Sequence, residues 1–341
     1  MDKLETLGSV TRLSDRVVRV LGQNPGKFTL QGTNTYLIGK KNPYILIDTG
    51  EGRPEYVPVL ESALRDEAKL DSPQDQDVSD IIISHWHHDH TDGLPSVVEI
   101  LQKLWKERNG DAPFKPPRLH KFPAPASATV SPHTTNSLPS IIASLPPGSY
   151  STSESGNAFN DLSHGQIVAA PSSTLHVLHT PGHTVDSICL YVQEDKALYT
   201  ADTILGQGTA VFEDLASYIS SLQSLLEFGK SEGHDFASLY PGHGPVVPDG
   251  TGLISTYIKH RLEREEQIVQ VLKGVITVEE RTTPPQSATT WNIVSVIYAA
   301  YPESLWAPAA HSVDLHLKKL EKDGKVKKLG GEGKDTNWQL L

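Results

Sequence analysis

The sequence predicts an α/β protein with a large layered domain over residues 1–250 and a small helical, winged-helix-like module over 251–341. Three observations lead there. Short β-branched and aromatic runs alternate with amphipathic helical stretches through the first 250 residues, the pattern of helices packed on sheets. The wholly apolar run Ile81-Ile82-Ile83 suits a strand covered on both faces, and it opens into a loop and then a helix. After Gly250 the pattern becomes helical and ends in two short strand-like runs about a glycine-rich tip.

In chain order, Arg16–Leu21, Asn34–Ile38 and Tyr44–Asp48 read as strands separated by Gly/Pro/Asn turns. Arg53 to Leu70 reads as a helix, with Val57, Leu60 and Leu64 on one face, and Leu94 to Lys106 as another. Residues 107–160 hold nine of the 24 prolines and are expected to form a Pro/Ser-rich insertion or lid with little regular structure. Strands resume at Leu175–Leu178, Ile188–Val192, Ala197–Thr200 and Ser238–Tyr240, with a helix from Leu215 to Phe228. The C-terminal helices are Ile254–Leu272, Trp291–Ala300 and Ala310–Asp323, and the wing is Lys325–Leu329 with Trp338–Leu340.

Hydrophobic residues make up 37% and charged residues 21% of the 341, an ordinary globular balance. The formal net charge of −11 repels polyanions, so nucleic acid would need a local basic patch. Residues 311–334 offer one, with seven lysines against four acids, although a solvated amphipathic helix and wing is the leading account of it. The single cysteine, Cys189, excludes an intrachain disulfide and a cysteine-ligated metal site. It reads as a buried inert thiol, and no disulfide-linked partner is expected. The acidic N-terminus lacks an apolar segment, and no stretch reaches the ~20 apolar residues of a membrane span. A cytoplasmic location is expected, with a mitochondrial one as the alternative.

Chemistry concentrates in Ser84-His85-Trp86-His87-His88-Asp89-His90. In a tight loop leaving a strand, His85 and His87 converge on one metal while Asp89 and His90 turn toward a second. Imidazole and carboxylate are ligands that Zn²⁺ takes at roughly 2.0–2.2 Å. His183, Asp202 and His243 each follow a strand-like run, and Pro-Gly turns precede the two histidines. One such histidine is usually structural, but seven ligand-type residues in this order are not. His88 reads as solvent-facing or supporting, and His176 and His179 as structural rather than supporting. His120, His133, His164, His234, His260, His311 and His316 lack this setting. No GxSxG nucleophile elbow is present.

The HxHxDH cluster followed by His183, Asp202 and His243, after 93, 19 and 41 residues, resembles the metallo-β-lactamase superfamily. The resemblance implies a four-layered αββα sandwich with two Zn²⁺ ions at one edge, Mn²⁺ being the alternative. It implies that His85, His87 and His183 hold the first metal, Asp89, His90 and His243 the second, and that Asp202 bridges them. Such a pair lowers the pKa of a bridging water. The mechanism expected is attack by a metal-bound hydroxide, with Asp89 as the catalytic residue that orients the water and assists proton transfer.

The segments Asn24–Leu37, Asp48–Arg53, Gly208–Asp214 and Leu315–Glu321 narrow the resemblance. They are similar to the branch containing β-lactamase-like protein 2 and the fungal lactamase-like thioesterases of polyketide pathways. That branch implies a thioesterase releasing a polyketide acid from the acyl carrier protein domain of a non-reducing polyketide synthase. It equally includes single-strand-specific endoribonucleases, whose partner is RNA. The acidic balance, the Gly50–Arg53 turn and Lys27-Phe28 favour the thioesterase. A winged-helix nucleic-acid-binding protein with a vestigial metal site is a remote third reading. Nothing beyond the shared motif points to β-lactamase activity.

Overall fold

Two sheets stack face to face because their central strands are apolar on both sides. The computed structural model describes residues 4–125, 136–274 and 287–341. The first sheet runs in sequence order: β1 (Val10–Arg12), β2 (Val17–Leu21), β3 (Asn34–Ile38), β4 (Tyr44–Ile47), β5 (Val78–Ile83), β6 (Arg118–Lys121) and β7 (Phe159–Asp161). It is antiparallel as far as β4 and parallel from β4 to β7. The second sheet has β8 (Ile167–Ala170), β9 (Ser173–His179), β10 (Ile188–Val192), β11 (Ala197–Ala201) and β12 (Ser238–Pro241), again side by side in chain order.

Strand alternation then sorts the side chains into layers. Ile45, Ile47 and Ile82 point inward and meet Val177, Leu190 and Tyr199 of the second sheet. Leu46, Ile81 and Ile83 point outward, under α1 (Tyr56–Asp66) and the long helix that follows the one-turn α2 (His88–Thr91). That long helix, α3 (Leu94–Asn109), contributes Val97, Val98 and Leu101 to the same layer. On the far side, Cys189, Tyr191 and Leu198 lie beneath α5 (Leu215–Lys230) and α6 (Gly250–Leu272), after the short α4 (Leu138–Ser144). The four layers are the αββα sandwich that the resemblance implies.

Residues 107–160 are more regular than their composition suggests, since they supply β6, α4 and β7. The run Arg118-Leu119-His120-Lys121 carries a single apolar residue, so no alternation betrays it. Its polar residues are bonded instead. Asp80 on β5 accepts from Arg118 at 2.8 and 2.9 Å and from His120 Nε2 at 2.7 Å. Residues 126–135, including His133, lie outside the described residues. The histidine loop is also tighter than expected, because residues 88–91 close the helical turn α2.

In the C-terminal part, α7 (Thr290–Ile297), α8 (Trp306–Lys322) and the last turns of α6 surround Val313, Leu317 and Trp338. The expected two-stranded wing has a third strand, β13 (Ala288–Thr289), beside β15 (Asn337–Leu340), which pairs in turn with β14 (Val326–Gly330). Thr289 closes a capping box with Asn292 at the start of α7. Helix α6 belongs to both cores, through Ile254 and Tyr257 at one end and Ile268 and Val271 at the other. Among the described residues, no helix is long and apolar enough to cross a membrane.

Burial opposes ionisation of Asp80, but the hydrogen bonds from His120 and Arg118 override it and hold the carboxyl at about 2. A folded-state pKa below the unfolded one stabilises above about pH 4, and this contribution fades as pH falls toward about 2. Arg118 is 54% exposed, so screening trims the effect. Asp80→Asn is expected to cost about 1–2 kcal/mol at neutral pH. In urea titrations the gap between variant and parent should narrow between about pH 4 and pH 2.

Candidate metal centre

Strands β9, β11 and β12 run in one direction, because β10 is antiparallel to β9 and β11 while β12 is parallel to β11. Their carboxyl ends deliver His183, Asp202 and His243 to one edge of the sandwich. From the facing sheet β5 delivers Ser84 and His85, and α2 carries Asp89 and His90. Asn34 stitches the sheets at this edge. Its backbone N–H donates to Gly242 O at 2.7 Å, and its Nδ2 donates to Pro241 O and Gly244 O at 3.0 and 2.9 Å. Two glycines are required here. A Cβ on Gly182, which has a φ of 138°, would lie 2.4 Å from Tyr218 Cα. One on Gly242 would lie 2.4 Å from Asp202 Oδ1 and 3.0 Å from His90 Cε1.

All seven predicted residues come together, in two adjoining groups. His85, His87, His183 and Asp202 form one, and Asp89, His90 and His243 the other, with ligand atoms inside each group within 4.8 Å of one another. Asp202 faces both, its oxygens lying 3.7 Å from His183 Nε2, 3.3 Å from His90 Nε2 and 3.2 Å from His243 Nε2. His85 Nε2, His87 Nδ1 and His183 Nε2 stand 3.0, 3.2 and 2.9 Å apart. Tetrahedral ligands at ~2.05 Å from one ion would be about 3.3 Å apart.

The outward ring nitrogens show why these contacts call for a cation. His85 Nδ1 bonds Ser84 Oγ at 3.0 Å, and Ser84 Oγ donates to Asp48 at 2.8 Å, so the imidazole is the donor. His90 Nδ1 donates to Asp48 Oδ2 at 2.7 Å, His183 Nδ1 to Val211 O at 2.8 Å, and His243 Nδ1 to Gly32 O at 3.4 Å. Each proton held outside leaves an Nε2 lone pair facing the cluster. His90 Nε2 and Asp202 Oδ1 are buried without a hydrogen-bond partner. The residues therefore fit metal ions, and the cluster is able to bind them.

Charge divides along the same line. Burial, reinforced by neighbouring imidazoles, drives His85 well below its ordinary pKa and His87 down to about 3, leaving them neutral ligands. Burial also disfavours charge on His90, but Asp89, Asp202 and Asp48 overcome it and hold its pKa well above the ordinary value. His243 is likewise opposed by burial and raised by Asp202 to about 9. The carboxylate-rich half thus demands positive charge, which metal ions supply in place of protons.

The supporting residues were less visible. Asp48 follows β4 at a φ of 59°, is fully buried, and accepts from Ser84 N at 2.8 Å, from Ser84 Oγ, from His90 and from Tyr199 on the facing sheet. A buried aspartate directly after an apolar strand was the available signal. Val211 lies in a loop clasped from the C-terminal side. Arg261 donates to Ala210 O at 3.0 Å and stacks 4.6 Å over Phe212, and Tyr257 donates to Gly208 O at 3.0 Å. His88 is exposed. His120 serves Asp80, and His176 bonds Gln193. His179 stacks on Phe122 and bonds Val185 O, so it braces the turn after His183. Cys189 is buried, and burial pushes its thiol up to about 12, as an inert thiol requires.

Beside the cluster opens a cavity of about 470 Å³, walled by Trp86, Lys121, Val185, Asp186 and Glu213 among others. Trp86 lies between His85 and His87, and its ring stacks on His87 at 6.1 Å. Glu213 is half-buried, and burial, with Asp186 nearby, pushes its carboxyl up to about 7.

A metal-binding hydrolase site at the edge of an αββα sandwich is the class of protein these features define. The chain belongs to the metallo-β-lactamase superfamily, whose family model matches residues 28–249, and the model of the β-lactamase-associated winged helix domain matches 289–338. It is 37% identical to "Beta-lactamase-like protein 2 homolog" of Drosophila melanogaster over 321 residues, covering 94% of this chain and 92% of that one. It is 32% identical to "Atrochrysone carboxyl ACP thioesterase" of Aspergillus terreus over 295 residues, covering 83% and 75%. A β-lactamase domain protein from Burkholderia ambifaria shares the fold, with a TM-score of 0.67 at 15% identity over 100% of this chain and 96% of that one.

Because Asp48 orients two imidazoles, Asp48→Ala is expected to weaken metal binding by about 10–100-fold. Metal content after dialysis against a weak chelator, alongside an unchanged far-ultraviolet spectrum, is the check.

Proposed function

We propose that this chain is a thioesterase that holds two Zn²⁺ ions and releases a polyketide acid from the acyl carrier protein domain of a non-reducing polyketide synthase. The observation that carries the thioester over the phosphodiester is the cleft. The one lysine lining it, Lys121, is already paired with Asp186, so no free cation awaits a phosphate there among the described residues. The name of the Aspergillus terreus relative, an acyl carrier protein thioesterase, points the same way.

In this reading His85, His87 and His183 would hold one ion, Asp89, His90 and His243 the other, with Asp202 placed to serve both. Such ions would lower the pKa of water and polarise the acyl oxygen under attack. Asp89 orients the attacking water and takes up its proton. Burial opposes ionisation of Asp89, and the neighbouring imidazoles of His90 and His243 override it, so without metal the carboxyl is already held well below the usual range and is ionised, as a ligand must be. Thr33 Oγ1 donates to Asp89 Oδ2 at 3.2 Å and fixes its orientation. A cytoplasmic setting belongs to the same reading.

The endoribonuclease reading needs a cationic track for a single strand. Of the seven lysines between 311 and 334, Lys318, Lys319, Lys322 and Lys325 pair with Asp314, Glu265, Asp214 and Glu265. Helix α8 is therefore less cationic than its composition implies, while Lys327, Lys328 and Lys334 of the wing have no carboxylate partner among the described residues.

The test pairs two substrates on the metal-loaded protein, an acyl thioester on a carrier domain and a mixed-sequence single-stranded RNA. Thioester turnover without RNA cleavage is expected, and RNA cleavage alone would sink the reading. Asp89→Asn should keep its metal and lose about 10²–10⁴-fold in kcat. His85→Ala combined with His87→Ala should lose both metal and turnover, as read by metal analysis and the same assay.

A further inference from the structure

The cavity beside the cluster sorts its polar groups into those already used and those left for a ligand. Asp186 accepts from Lys121 and from Thr184 Oγ1, the latter at 2.7 Å, and Lys121 Nζ also donates to Phe122 O at 3.1 Å. Asp214 caps α5 by accepting from Ser217 N at 2.8 Å, and its second oxygen pairs with Lys322. Asn136 accepts from Leu138 N at 3.1 Å. The carboxyl of Glu213, whose backbone N–H is tied to Gly182 O at 2.7 Å beside His183, remains without a side-chain partner among the described residues. Trp86, 7% exposed, adds its aromatic ring to the wall. Ala124, Pro125, Pro181 and Val185 make the rest of the wall apolar.

An uncompensated acceptor set in a largely apolar and aromatic wall specifies a ligand. Its body is apolar and uncharged, and it donates a hydrogen bond to Glu213. An anionic ligand would meet Glu213 with no free cation among the described residues of the wall to offset the repulsion, because Lys121 is engaged. The volume of about 470 Å³ suits a bulky ring-sized group rather than a thin linear arm.

We propose that this cavity is the acyl pocket and that Glu213 is its specificity-determining residue, accepting a hydrogen bond from a hydroxyl on an uncharged acyl group. The proposal rests on the thioesterase reading and adds which thioesters are chosen. Above about pH 7, where the Glu213 carboxyl is ionised and where the assay is run, removing the substrate hydroxyl leaves a partly buried acceptor unpaired, and adding a carboxylate places two negative charges in one pocket.

The experiment uses the full chain loaded with zinc and three thioesters of N-acetylcysteamine, carrying benzoyl, hydroxybenzoyl and carboxybenzoyl groups. The parent should show kcat/KM about tenfold higher for hydroxybenzoyl than for benzoyl, with carboxybenzoyl the poorest. Glu213→Leu should bring the hydroxybenzoyl-to-benzoyl ratio close to one, with the change carried mainly by KM. Glu213→Gln, which keeps an acceptor oxygen and loses the charge, should retain that preference and improve carboxybenzoyl severalfold. Each ratio is taken within one variant, so it is independent of the fraction that folds. Hydrolysis of all three thioesters with no preference, or a preference untouched in Glu213→Leu, overturns the assignment of Glu213 while the thioesterase reading stands. Absence of turnover on all three, with single-stranded RNA cleaved, overturns both.

Discussion

The carboxylate of Asp48 is the interaction on which the rest of this structure depends. It accepts two hydrogen bonds from Ser84 and one from His90 on the first sheet's side, and another from Tyr199 across the interface. A fully buried charge is costly unless its lone pairs are satisfied, and here every donor belongs to an element that shapes the cluster. By holding the outward protons of His90 and, through Ser84, of His85, Asp48 turns their lone pairs inward. The same atoms lock the two sheets together at the edge where the candidate metal ligands emerge. Fold and site thus share one hydrogen-bond network.

The C-terminal part extends this coupling. His183 depends on the carbonyl of Val211, and the loop bearing Val211 is gripped by Tyr257 and Arg261 of α6, with Lys322 of α8 pairing Asp214. His316 sits fully buried against Phe212 in the same contact, and burial, with Arg261 nearby, pushes it down to about 3. The C-terminal part therefore helps to hold the loop that supports His183 and one wall of the cavity.

Most of the sandwich was legible because its strands carry local signals. Tyr44–Ile47, Ile188–Val192 and Ala197–Ala201 are apolar runs bounded by turns, and their helices show one apolar face. Strands β6 and β7 were not, since their stability lies in pairing with β5 and in the bonds between Asp80, Arg118 and His120 rather than in any pattern of their own. The lysine-rich tail, read chiefly as a solvated helix and wing, has part of its charge offset from a distance: Glu265 on α6, 54 and 60 residues away in sequence, accepts from both Lys319 and Lys325.

By itself the sequence pointed to the candidate ligand residues and, through the resemblance that their motif carries, to the layered fold and the superfamily, because a motif and its spacing are written along the chain. Only the tertiary structure decided which ring nitrogens face inward and which loop the C-terminal helices grip. It alone left Glu213 as the open acceptor of the cavity wall. These features rest on contacts such as Tyr199 with Asp48, 151 residues apart, and Asn34 with Gly244, 210 apart. A hydrogen bond over such a separation leaves no periodic trace in the chain. It exists only once packing has brought its two ends together.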